Sequence, residues 1–224
     1  MTIMSRNPTT AEEERYYSLS GTAFKALAPF YDIVASPLVK ARETVVDITG
    51  APPGSSVLDV ATGTGEQALA FAKRGYETIG VDLSDAMLKV AASKNRYAHA
   101  KFEVADATHL RFDDDSFDVS TISFALHDMP VTIREKVLRE MVRVTKPEGV
   151  IVIVDYALPK SKIGRFLIYR LVSLYEDEYY QTFIEADLEL LLAKTGIKTQ
   201  KDLPILLGAG RIMKGVNVRE ITST

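Results

Sequence analysis

Val57-Leu-Asp-Val-Ala-Thr-Gly-Thr-Gly-Glu-Gln-Ala-Leu-Ala-Phe71 decides the fold. Val57, Leu58, Val60 and Ala61 form a short apolar run, the mark of a strand covered on both faces. Gly63 and Gly65 follow at once, where a chain turns tightly and lets its backbone approach a ligand. Leu69, Ala70 and Phe71 then suit a helix packed on that strand. A strand, glycine loop and helix in this order place free N–H groups and a positive dipole end at the carboxyl edge of a sheet. Ligands of open α/β sheets bind at that edge.

The nearby acids select among ligands. Asp59 lies within the strand, Glu66 opens the helix, and Asp82 ends the next strand, 17 positions after Gly65. Gly63-x-Gly65-x-x-Ala68 with Asp82 also fits a dinucleotide fingerprint. A dinucleotide would bring a pyrophosphate to the helix start, where Glu66 and Asp59 would repel it. A ligand carrying an ammonium and a sulfonium would be favoured there. S-adenosylmethionine carries both, and its ribose suits the Asp82 carboxylate, which can accept from two vicinal hydroxyls.

Outward from this stretch, strands and helices alternate as a parallel sheet requires. Strands are expected at 56–61, 77–82, 101–105, 117–124 and 150–155, and helices at 65–74, 85–95 and 131–144. Ser84 reads as an N-cap and Thr132-Ile-Arg-Glu135 as a capping box. Lys146-Pro-Glu-Gly149 reads as a turn into the fifth strand. Asp187–Lys194 reads as a helix stopped by Gly196. Two last strands, near 198–206 and 211–218, flank Leu207-Gly-Ala-Gly210. The expected fold is therefore a doubly wound α/β sheet of seven strands ending in a hairpin. Towards the N-terminus, Thr10-Ala-Glu-Glu13 fits a capping box, Phe24, Leu27, Ala28 and Tyr31 fall at helical spacing, and 38–49 reads as a helix. The chain divides into an N-terminal helical cap segment, 1–50, and a sheet domain, 51–224, hinged at Ala51-Pro-Pro-Gly54. Ile163, Phe166, Leu167, Leu171 and Leu174, with Ile168, Tyr169 and Val172 on the other side, describe a helix apolar all round, which suits a core, a lid or a partner, a homodimer among them.

Several of these stretches share a resemblance. Val57–Gly65, then Gly80-Val-Asp-Leu-Ser-Asp-Ala-Met-Leu88, then Asp106-Ala107, resemble the class I S-adenosylmethionine-dependent methyltransferases. Phe117-Asp-Val-Ser-Thr-Ile-Ser-Phe-Ala-Leu-His-Asp128 and Leu138-Arg-Glu-Met-Val-Arg-Val-Thr-Lys-Pro-Glu-Gly149 are most similar to the branch of ubiquinone and menaquinone C-methyltransferases. The resemblance covers residues 30–155 and implies a Rossmann-like sheet closed by an antiparallel hairpin. It implies that Asp59 lies near the methionine amino group, that Ala61 stands at the family's first glycine, and that Gly63 and Gly65 pass close to S-adenosylmethionine. It further implies Asp82 on the ribose, Leu83 and Met87 against the adenine, Asp106 and the Ala107 N–H at the adenine edge, and Ser123 on the ligand side of the fourth strand. Tyr31, in Phe30-Tyr-Asp32, matches a tyrosine that approaches the cofactor. Quinone-methylating relatives place arginine and asparagine where His127 and Asp128 stand. His127 is thus a candidate catalytic base, a substrate-positioning residue, or a polar strand end.

Composition narrows the remaining classes. A net charge of −3 shows no basic footprint for nucleic acid. Cysteine is absent, which excludes disulfides and thiolate metal sites. The three histidines show no metal-ligand spacing, so no metal is expected. No apolar run approaches the ~20 residues of a membrane span, and a cytoplasmic protein is expected. Methyl transfer to a small acceptor is the expected function. An NAD-binding oxidoreductase, or a non-catalytic binding protein on a methyltransferase fold, are the alternatives.

Overall fold

The computed structural model describes residues 13–18, 39–159 and 178–219. A helical segment at 13–18 is followed by α1 (Val39–Thr49), β1 (Ser56–Val60), α2 (Glu66–Lys73), β2 (Glu77–Asp82), α3 (Asp85–Lys94), β3 (Ala100–Val104) and β4 (Phe117–Ser123). Then come α4 (Val131–Val144), β5 (Thr145–Tyr156), α5 (Glu178–Glu185), α6 (Leu188–Thr195), β6 (Ile197–Ile205) and β7 (Gly210–Asn217). The strands form one sheet in the order β3-β2-β1-β4-β5-β7-β6. β1 to β5 run parallel, while β7 pairs antiparallel with both β5 and β6. The expected seven strands and closing hairpin are both present.

Alternation within the strands explains the two layers of helices. In β1, Leu58 and Val60 enter a core with Ile133, Val137, Leu138 and Met141 of α4 and with Phe183, Leu188 and Leu192. Val57, of opposite parity, joins Val45 and Val46 of α1 and Phe71 of α2. β5 divides in the same way, Ile151 and Ile153 to one side, Val152 and Val154 to the other. With both faces covered, β1 has to be apolar nearly throughout.

Local chemistry places most helix ends. Ser84 accepts from the Met87 N–H at 3.4 Å, and Asp187 from the Leu190 N–H at 3.0 Å. Gly196 ends α6 in the left-handed region. Two expectations are corrected. Thr132 is no N-cap: α4 already begins at Val131, behind Pro130, whose carbonyl accepts from Arg134 at 2.9 Å. The fixed φ of proline sets the entry angle here, and no hydroxyl is needed. Lys146–Gly149 is no turn before the strand but a bulge inside it, since Phe117 pairs with Thr145 and Val119 with Val150. Thr145 is drawn into the sheet because its buried hydroxyl donates to the Met141 carbonyl and meets Ser120 Oγ, each at 2.6 Å. The acidic turn 113–115 is tied down by Arg143 and Arg219.

Strand order reverses between β1 and β4, so the connections leaving their carboxyl ends run to opposite sides and open a crevice. Gly65 sets how closely α2 approaches that crevice. It has φ +79, and a Cβ there would lie 2.7 Å from Ala91 Cβ and 2.8 Å from the Phe102 ring. A Cβ on Gly63, φ +55, would meet nothing within 4 Å. Gly65→Ala should therefore lower the unfolding free energy by about 2–4 kcal/mol, strain and overpacking together, against about 1 kcal/mol for Gly63→Ala. Urea unfolding of both variants checks this, and equal losses would refute the packing role.

Candidate active site

Three left-handed backbone positions shape the loop after β1: Ala61 at φ 52, then Gly63 and Gly65. Phe124, just past β4, also has φ 49, held by its N–H to the Val154 carbonyl at 2.7 Å. Positive φ at non-glycine residues is uncommon and clusters at functional sites. Ala61 and Phe124 flank a cleft of about 830 Å³ and a smaller one of about 560 Å³.

The larger cleft runs between two acids. Asp82 Oδ2 accepts from the Gly63 N–H and Oδ1 from the Ser84 N–H, both at 2.8 Å. Burial raises this carboxyl above its ordinary range, and the N–H groups of Ser84, Gly63 and Leu83 oppose the rise. Three donors leave the carboxylate with acceptor capacity for one more in the cleft. Asp106 Oδ1 accepts from the Thr108 N–H at 2.9 Å and hydroxyl at 2.7 Å, and from Tyr17 at 3.3 Å. Nothing among the described residues donates to its Oδ2. Leu83 and Met87 line the wall between them, with Ala61, Gly63, Ala107 and Ser123. Ser123 Oγ is buried with no hydrogen-bond partner among the described residues, so this polar atom is left for a ligand.

Asp59 faces the smaller cleft, beside Arg42, Thr62, Thr64 and Gln67. Its carboxylate accepts from Thr62 at 2.5 Å and from Thr121 at 2.8 Å. Burial pushes it up to about 6, against the downward pull of those two hydroxyls. Glu66 is paired with Lys94 at 2.5 Å and Arg42 at 3.4 Å. The repulsion of a pyrophosphate inferred from bare carboxylates is therefore weaker in the folded chain. What remains is a cleft with a cation at one side and an acid at the other.

His127 lies elsewhere. It lines neither cleft; its ring sits against Tyr156, Tyr180 and Phe183, with Nδ1 2.7 Å from Asp155. Its neighbour Asp128 does line the larger cleft. Gly65 works beneath the loop, in packing, and Tyr31 lies outside the described residues. Sequence reasoning did not single out Tyr17, Thr108 or Arg42, and it named Asp128 only as a departure from the quinone-methylating pattern. Tyr17 is carried over Asp106 because Glu13, in the same helical segment, is buried against Lys136 of α4 at 2.9 Å. No spacing signals a contact made by so distant a segment. Among the described residues, no cluster of acids and histidines could hold a metal ion, and no helix is long and apolar enough to cross a membrane.

With this geometry in place, similarity to known proteins is informative. Residues 57–149 match the methyltransferase domain family. A demethylmenaquinone methyltransferase of Renibacterium salmoninarum is 43% identical over 141 residues, 61% of this chain and 58% of that protein. This is a class I methyltransferase domain. The chain spans less than two thirds of the length of that relative. A SAM dependent methyltransferase from Aquifex aeolicus shares the fold of the methyltransferase domain with TM-score 0.67 and 18% identity, over 88% of this chain and 98% of that one. The [4+2]-cyclase SpnF does so with TM-score 0.71 and 17% identity, over 88% and 94%.

The raised carboxyl of Asp59 gives a pH signature. Its folded value of about 6 lies above the ordinary 3.8, so the folded protein holds this proton more tightly than the unfolded chain. The linked stability is fully present below about pH 4 and is lost as pH rises through about 6. Asp59→Asn has no such proton to lose. From about pH 4 to about pH 7 the variant should gain about 3 kcal/mol relative to the parent. Urea unfolding across that range checks it; a constant difference would mean Asp59 stays ionised throughout.

Proposed function

We propose that the methyltransferase domain binds S-adenosylmethionine across the two clefts and moves its methyl to a small, electron-rich acceptor. The observation that carries this reading is the pair Asp82 and Asp106, at opposite ends of one cleft, each with acceptor capacity unspent. Asp82 would take the ribose hydroxyls, Asp106 the adenine amino group with the Ala107 N–H beside it, and Leu83 and Met87 the faces of the ring. The smaller cleft suits an amino acid end, with Arg42 for a carboxylate and Asp59 for an ammonium. Gly63, with no side chain, leaves room for the ligand between the clefts, and Ser123 Oγ offers it a hydrogen bond.

S-adenosylmethionine supplies an electrophilic methyl on a sulfonium, which is displaced in line. The chain's own residues then have mainly to bind, align and exclude water, and proximity and orientation supply much of the rate. The acceptor enters on the side of Phe124, Asp128 and Met129. The relative's name points to a quinol-type acceptor, which makes reduced naphthoquinones the first probes. Residues 127 and 128 depart from the quinone-methylating pattern, so the acceptor's polar contacts differ here.

Titration calorimetry separates the readings. The protein should bind S-adenosylmethionine and not NAD, and Asp82→Ala should weaken binding by about 1.5–3 kcal/mol, as for a hydrogen bond to a charged group. Since Asp82 also holds the Gly63 and Ser84 N–H groups, circular dichroism must show the variant folded. Preference for NAD, or unchanged affinity in a folded variant, would overturn the proposal. Methyl turnover with an acceptor panel separates transfer from the other chemistry that SpnF shows this fold can host.

A further inference from the structure

We propose that Asp128 is the proton acceptor of the transfer reaction, with His127 and Asp155 as positioning residues behind it; this rests on the reading of the clefts as a methyl-transfer site. The three groups form a chain. Asp128 ends the turn after β4 and lines the larger cleft, its side chain 42% exposed. Its Oδ1 lies 3.2 Å from His127 Nε2. The imidazole is 8% exposed, and its Nδ1 lies 2.7 Å from Asp155 Oδ1. Asp155 is fully buried, and its carboxylate also accepts from the N–H groups of Leu126 at 3.0 Å, His127 at 3.3 Å and Tyr156 at 2.8 Å.

Every donor around Asp155 points inward, so the carboxylate serves as acceptor throughout and Nδ1 keeps its hydrogen towards it. Nε2 is then the ring atom that gains or loses a proton, and it lies within ion-pair distance of Asp128. An unprotonated Nε2 and an ionised Asp128 would turn lone pairs towards each other; a proton between them makes an ion pair. A proton landing on Asp128 is therefore held with an imidazole's affinity. As isolated groups an imidazole is the stronger base, about 6.5 against about 4 for a carboxylate. The carboxylate supplies reach into the cleft and the imidazole supplies basicity.

Among the described residues, three elements pack against the ring. From α4, Arg134 donates to the Leu126 carbonyl at 2.7 Å and the His127 carbonyl at 3.5 Å, a positive charge that opposes the imidazolium. From β5 come Asp155 and Tyr156, whose ring is 4.6 Å away, and from α5 come Tyr180 at 6.1 Å and Phe183 at 6.4 Å. The acceptor this chain suits is a phenol or enol. Its O–H proton goes to the Asp128 carboxylate and on to Nε2, while the bonding pair stays on oxygen and makes the acceptor nucleophilic. Nothing is oxidised or reduced.

The test uses the full chain with Asp128→Asn and His127→Gln, reduced 1,4-naphthoquinone as the probe acceptor, and long-range ¹H–¹⁵N spectra of the imidazoles. The His127 signal is assigned by its loss in His127→Gln. Both variants should keep S-adenosylmethionine affinity within about 2-fold and lose about 10²-fold or more in transfer rate. Parent activity should rise with pH through the midpoint at which His127 titrates, and His127→Gln should lack that step. In Asp128→Asn the His127 midpoint should move down, because a neighbouring negative charge is gone. A His127 midpoint indifferent to Asp128→Asn overturns the relay, whether or not the probe is methylated. So does an Asp128→Asn variant with the parental rate and profile. Failure of the parent to bind S-adenosylmethionine would instead refute the functional reading itself. If His127→Gln does not fold, the transfer rate and pH profile of the half-exposed Asp128→Asn decide alone.

Discussion

The Gly63 N–H donates to the Asp82 carboxylate at 2.8 Å, and the site depends on this bond. It ties the loop leaving β1 to the end of β2, across two strands that the sheet holds side by side. The second oxygen of the same carboxylate receives the Ser84 N–H at 2.8 Å, and so also places the start of α3. One side chain thereby positions a glycine loop and a helix N-terminus at the larger cleft. The loop can accept this geometry because Ala61, Gly63 and Gly65 all take positive φ. A Cβ is tolerable at the first. At the last there is no room for one, because Ala91 and Phe102 fill the space.

Burial sets the electrostatics of the site more than formal charge does. Asp59 is carried inside by β1, where desolvation raises its carboxyl to about 6 despite two hydroxyl donors. Glu66, from the same glycine stretch, stays partly exposed and is matched by Lys94 and Arg42. A count of acids near the glycine loop therefore overstates its negative charge. The smaller cleft keeps both signs within reach, Arg42 and Asp59 both lining it. Asp155 accepts from the Leu126, His127 and Tyr156 N–H groups and lies 2.7 Å from His127 Nδ1.

The alternation of strands and helices, the glycine loop and the closing hairpin were legible because each is a local pattern. Apolar parity marks a two-faced strand, and glycine or serine marks an end. The cleft residues 61, 63, 82, 83, 106, 107 and 123 were legible for the same reason, since each sits at or just past a strand's carboxyl end, and 87 follows in the first turn of α3. Errors arose where a local pattern competed with a longer-range one. Thr132 offers a capping hydroxyl, but Pro130 already sets the helix entry. Lys146–Gly149 carries turn residues, but Thr145 is bound to Ser120 and the sheet runs through the bulge.

What the sequence determined by itself is the sheet, its order of elements and the edge where a ligand binds, because these follow from periodicity and chain-adjacent chemistry. What only the tertiary structure decided is which side chains meet at that edge. Tyr17 reaches Asp106 across 89 positions, and Arg42 reaches Glu66 across 24. His127 stands next to Asp128 in the chain, yet only the packing of β5 and α5 turns its ring to Asp155 and into an aromatic pocket. The physical reason is one of range. Backbone propensity acts over a few residues, whereas burial, ion pairing and proton sharing depend on neighbours that the fold alone brings together.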